Sequence, residues 1–182
     1  MKKIFFVAIV AAVAALSTGC FATTGRTSAV KGETKVNIPL SGAEYMSNDE
    51  YFRVTEIGES PNMSSAMKVA RQNARQELAA TVESAIKAVI SNYTQTTATT
   101  DESIYEALAT NVVKQKLSGA IEIGNEMYQT EDGRYKCYVC FQLSKKEMQD
   151  ALANQLANEA VLKAQFDRER FMEIYDKELA NY

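Results

Sequence analysis

The chain has 182 residues, with 20 Lys+Arg against 23 Asp+Glu, three Cys, two Pro, no His and no Trp. At 46% apolar and 24% charged it has the composition of an ordinary globular domain, long enough to bury a core. The missing histidine excludes Ser-His-Asp and Cys-His triads, His-ligated zinc and an imidazole pH switch.

Met1-Lys2-Lys3 is a short basic start, and Ile4 to Leu16 is an unbroken apolar run. That run is too short to span a hydrocarbon core as a helix but suits the apolar region of a signal peptide. Ser17-Thr18-Gly19 follow, then Cys20. The arrangement looks like a bacterial lipoprotein signal over residues 1–19, with cleavage before Cys20 and acylation of its thiol. Stable anchoring takes more than one acyl chain, which lipoproteins of this type supply. An ordinary secretory signal cut within Ala11–Ala15, with Cys20 incidental, is the competing reading. Cleavage removes Lys2 and Lys3 and takes the formal charge from −3 to −5. That balance argues against nucleic acid as a partner. Residues 20–34 read as the lipidated cysteine and a small, polar tether. No acidic residue follows Cys20 before Glu33, which fits outer-membrane delivery with the domain facing the periplasm. Residues 35–182 are expected to form a single α+β domain.

Tyr51–Gly58 is aromatic and β-branched and ends in glycine, as a strand would. Ser60 and Pro61 read as N-cap and first residue of a helix. Apolar residues at helical spacing (Ala66, Ala70, Ala74, Leu78, Val82, Ile86, Val89) carry that helix to Tyr93. Its alanine stripe predicts a close approach to a sheet. After a Thr-rich break, Thr99-Thr100-Asp101-Glu102 fits a capping box for a second helix through Ile104, Leu108, Val112, Val113 and Leu117, ending at Ser118-Gly119.

Residues 120–143 alternate. Odd positions Ile121, Ile123 and Met127, and again Tyr135, Cys137, Val139, Phe141 and Leu143, are apolar, with Asp132-Gly133 between them. A three-residue loop, Glu131-Asp132-Gly133, would pair Met127 with Cys137, Ile123 with Phe141 and Ile121 with Leu143, keeping the apolar set on one face. Glu122, Glu126, Lys136, Tyr138 and Gln142 would then face solvent. Ser144-Lys145-Lys146-Glu147 is another capping box, opening a long C-terminal amphipathic helix, or two stacked segments, through Met148, Leu152, Leu156, Phe166, Phe171, Ile174, Tyr175 and Leu179.

Cys137-Tyr138-Val139-Cys140 has the C-x-x-C spacing of redox and metal sites. On a strand, residues three apart point to opposite faces, so the two thiols can neither bridge nor share a metal. Cys137 then belongs to the core and Cys140 to the solvent face. No catalytic constellation, cofactor motif or metal-ligand pattern stands out, and Cys20 is the single site residue expected, as a lipidation site.

The Ala66–Ala79 segment, A-x3-A-x3-A-R-x-x-L-A, and the strand Gly133-Arg134-Tyr135-Lys136-Cys137-Tyr138-Val139 resemble the lipoprotein-20 (Lpp-twenty) family of small bacterial outer-membrane lipoproteins. The likeness covers roughly residues 50–150, and the C-x-x-C and charged C-terminal helix depart from it. It implies an antiparallel sheet wrapped on one long helix, and no enzymatic residues. The expected function is a membrane-anchored envelope scaffold or interaction module, with an envelope protein or a second copy as partner. The alternatives are an adaptor of a periplasmic or flagellar-type assembly and a thiol oxidoreductase using Cys137 and Cys140.

Overall fold

A computed structural model describes residues 36–99, 101–180 and 182. The signal-peptide reading of residues 1–19, the lipidation site Cys20 and the tether 20–34 lie outside the described residues. Asn37–Tyr182 forms one unit of α+β architecture, with β1 (Tyr51–Ser60), α1 (Met63–Thr97), α2 (Glu102–Leu117), β2 (Ile121–Gln129), β3 (Tyr135–Ser144), α3 (Lys145–Asn158) and α4 (Arg168–Leu179) in chain order. The strands make one antiparallel sheet in the order β1-β3-β2.

β1 runs two residues past its expected end because Ser60 still pairs with Tyr135. The ladder therefore claims the residue expected to cap α1. Asn62 takes that role, its side chain accepting from Ser65 N–H at 3.2 Å. α1 is 35 residues long, about 50 Å at helical rise, and has two tasks. Ala66, Ala70, Ala74 and Leu78 pack on β1 and β3, while Val82 to Tyr93 pack on α2 and α4. The close approach promised by the alanines is met from the other side by Gly58. A Cβ on Gly58 would lie 2.2 Å from Ala70 N and 2.3 Å from Ala66 O.

The Thr-rich stretch expected to break the helix instead continues it to Thr97. Thr97 Oγ1 donates to Tyr93 O at 2.8 Å, and Tyr93 and Thr94 are buried. Ala98 closes the helix in the left-handed region, at φ 51°. The capping box at Thr99–Glu102 does not form. Asp101 is the N-cap of α2, and its carboxylate is taken by Gln165 at 2.8 Å. α2 also sits rotated from its expected stripe. Tyr105, Ala109, Val112 and Val113 are buried, with Ile104, Leu108 and Leu117 at the margins.

The hairpin closes as expected through Glu131–Gly133, with Gly133 at φ 82° and Met127 opposite Cys137. The rest of the expected register fails at a β-bulge. Gly124 opposes Cys140, yet Glu122 opposes Phe141 and Ile121 opposes Gln142. The extra residue, Ile123, reverses the faces beyond it. Ile121 moves to the outer face, 61% exposed. Glu122 moves to the helix face, where Arg71 of α1 donates to it at 2.7 and 3.1 Å.

Ser144 caps α3 as expected, accepting from Glu147 N–H at 3.2 Å. The C-terminal stretch divides into α3 and α4 and folds back. Leu162 is buried in the connection, Asp167 caps α4 through Arg170 N–H, and Phe171, Ile174, Tyr175 and Leu179 are buried. The fold-back is a tertiary effect, since it assembles an aromatic cluster of Phe166 and Phe171 around Tyr93, each about 5.6–5.7 Å from it between centroids.

Candidate functional site

The C-x-x-C places its two thiols apart, as strand parity requires. Cys137 joins the core between sheet and α1, whereas Cys140 lies outside that core cluster on the other face. Cys140 is nevertheless not in solvent. It is 0% exposed, which corrects the expected outward, wet position.

The cover is the chain's own segment ahead of β1. Leu40 is buried, and Thr55 Oγ1 donates to Leu40 O at 3.4 Å. Tyr45, in a 3-10 turn at Ala43–Tyr45, offers its carbonyl to Cys140 Sγ at 3.7 Å. A Cβ on Gly124 would come within 2.8 Å of the Tyr45 ring, so glycine there admits the lid. Sequence reasoning missed this layer because the segment has no periodicity of its own. Burial pushes both thiols above the usual cysteine value, the opposite of what a redox nucleophile needs.

Two clefts open elsewhere. One, of about 400 Å³ between α1 and α2, has a base of Ile86, Ile90, Ala109 and Val113 and a rim that includes Glu83 and Lys114. The base residues are already buried by the two helices, so little apolar surface remains for a ligand.

The second cleft, of about 420 Å³, lies where α3 and α4 meet and includes Asp49, Lys145, Gln149, Tyr175 and Asp176. Lys145 was legible in the sequence only as part of a cap. In the fold it is 5% exposed. Its ammonium donates to Leu179 O at 3.0 Å and stands 5.2 Å from the centroid of the Phe52 ring. Tyr175 returns a hydrogen bond to Lys145 O at 2.8 Å, and Gln149 donates to Asp176 at 2.6 Å. Burial pulls the Lys145 amine below its ordinary value, with Asp49 opposing that shift. A depressed amine is one requirement of a nucleophilic lysine, but this one occupies the C-terminal carbonyl end of α4, where cations are favoured. Its geometry is that of a strut between α3 and α4. Among the described residues, no three His, Cys, Asp or Glu side chains gather as a metal-holding group.

Compared with models of protein families, with curated proteins and with solved structures, the chain matches none.

Proposed function

We propose that this chain is a lipid-anchored protein of the bacterial envelope, held through Cys20 to the outer membrane. On this reading its folded part acts in the periplasm as a non-catalytic scaffold or interaction module. The observation that carries the reading is the order Lys2-Lys3, Ile4–Leu16, Ser17-Thr18-Gly19, Cys20 ahead of one folded unit. The motif likeness to the lipoprotein-20 family points the same way. The buried, separated thiols and the strut role of Lys145 favour a binding module over an oxidoreductase or a lysine enzyme. No described helix is long and apolar enough to cross a membrane.

The test is Cys20→Ser, followed by mass spectrometry of the purified chain. Wild type is expected to carry acyl mass on residue 20 and begin there, and the variant to persist as uncut precursor. The same N-terminus in both, without acyl mass, would overturn the anchor. A pull-down from native envelopes then separates the two forms of the proposal. A stoichiometric machine component marks an adaptor, and peptidoglycan or lipid alone marks a scaffold.

A further inference from the structure

The two edges of the sheet are finished differently. β1 is an edge strand whose outward backbone groups are occupied at Tyr51, at Arg53 and at the Ile57 carbonyl. Asn48 accepts from Tyr51 N–H at 2.9 Å and its own N–H donates to Tyr51 O. Ser47 Oγ both accepts from Arg53 N–H and donates to Arg53 O, at 3.0 and 3.2 Å. Asn73, reaching from α1, donates to Ile57 O at 2.8 Å. Such capping closes the first half of β1 to further pairing.

β2 is the other edge, and it is open. Thr130 N–H donates to Arg134 O at 2.9 Å, so hydrogen-bonded pairs with β3 fall on even residues of β2. The N–H and C=O groups of Asn125, Met127 and Gln129 therefore point away from the sheet. Among the described residues no backbone group bonds to them. The helix layer lies over β1 and β3, and on β2 it reaches only Glu122, through Arg71, and the partly buried Met127, which packs against the core, while Asn125 and Gln129 are exposed. On the outer face Tyr128 is 45% exposed.

We propose that β2 pairs antiparallel with β2 of a second copy of this chain, about a two-fold axis at Met127, giving a continuous six-stranded sheet. The occupant is argued from the register. The regular part of β2 lies between the bulge, which ends at Gly124, and the hairpin turn that begins at Thr130. Centred on Met127, that stretch opposes itself without loss. Met127 faces Met127 on the helix side, and Asn125 faces Gln129. On the outer side, Tyr128 of each copy faces Glu126 of the other. Those two groups already bond within one strand, Tyr128 hydroxyl to Glu126 carboxylate, so they are matched chemically. No like charges stand directly opposite, and an isologous pair of this kind closes on itself.

The test uses the full chain in intact cells, carrying Cys137→Ala because Cys137 stands directly opposite residue 127, with Met127→Cys treated with copper phenanthroline. Residues at the axis stand about 5.5 Å apart between Cα atoms, within reach of a disulfide. A reducible dimer of this chain is expected from Met127→Cys and none from Asp132→Cys at the hairpin tip. Adding Tyr128→Glu, which sets carboxylates opposite each other twice, should lower the cross-linked fraction about tenfold. Adding Glu126→Lys to that variant should restore it. Absence of a dimer at position 127, equal cross-linking at 132, or an adduct with a different protein would each overturn the proposal. It does not rest on the anchor at Cys20, since a dimer whose bridge is mapped to residue 127 by peptide digestion reads the same whether or not the chain is lipidated.

Discussion

Cys140 shows how one residue's chemistry is set by a neighbour far away in the chain. Its thiol faces away from the core yet is covered by Leu40 and Tyr45. Both Cys137 and Cys140 should therefore resist a water-soluble alkylating reagent in the native protein and react on unfolding. Tyr45→Ala, which lifts part of the cover, should admit reagent to Cys140 ahead of Cys137; peptide mapping after alkylation reads the order. Lys145 gives a pH prediction. Its amine titrates below the ordinary 10.5 in the fold, so between the two values the unfolded chain binds the extra proton. The contribution of Lys145 to stability should then rise with pH across the window from the lowered value up to 10.5, and below that window the cost of burying the charge is carried in full. The raised thiols of Cys137 and Cys140 and the raised hydroxyls of Tyr93, Tyr105 and Tyr175 act with the opposite sign in the alkaline range. The reading is therefore the difference in denaturation midpoint between wild type and Lys145→Met, which should shift in favour of wild type as pH rises through the window. A difference that stays constant with pH would overturn the assignment to Lys145.

At the scale of elements, the contact between α1 and β1 is made by backbone as much as by side chain. Gly58 has no space for a methyl group against Ala66 and Ala70. Gly58→Ala must push the strand off the helix and should destabilise by about 3 kcal/mol, the upper part of the usual overpacking range. A midpoint unchanged in urea would mean the two elements separate at no cost. The end of α1 offers a change of opposite sign. Ala98 holds φ 51° with a Cβ that the left-handed region disfavours. Ala98→Gly relieves that strain at the expense of a more flexible unfolded chain. The net should be a gain of about 1 kcal/mol, seen as a higher thermal midpoint.

For the whole molecule, α4 is the element that ties α3 to the C-terminal half of α1. Phe171 packs on Tyr93, Phe166 and Tyr175, and Tyr93 accepts from Asp167 N–H at 2.8 Å through its hydroxyl. Asn92 of α1 also reaches Glu178, at 2.6 Å. Phe171→Ala should cost about 3–5 kcal/mol. Because the cluster ties α4 to α1, hydrogen exchange should become fast in α4 while the sheet stays protected. Uniform loss of protection would instead make α4 part of one cooperative unit with the sheet.

Much of this architecture was legible in the chain alone, because periodicity is a local property. The alanine stripe of α1, the parity of Cys137 and Cys140, the three-residue loop with left-handed Gly133 and the Ser144 cap each follow from a handful of neighbouring residues. What stayed out of reach depended on contacts distant in sequence. The bulge at Ile123 exchanges the faces of Ile121 and Glu122, and in its place Glu122 meets Arg71, a partner 51 residues away. The split of the C-terminal stretch into α3 and α4 contains no glycine or proline to announce it and is set by aromatic burial on Tyr93. The covered thiol of Cys140, the strut at Lys145 and the contrast between a partly capped β1 edge and an open β2 edge belong to the same class. Local pattern determines which face of an element is apolar; only the packed fold decides what lies against that face.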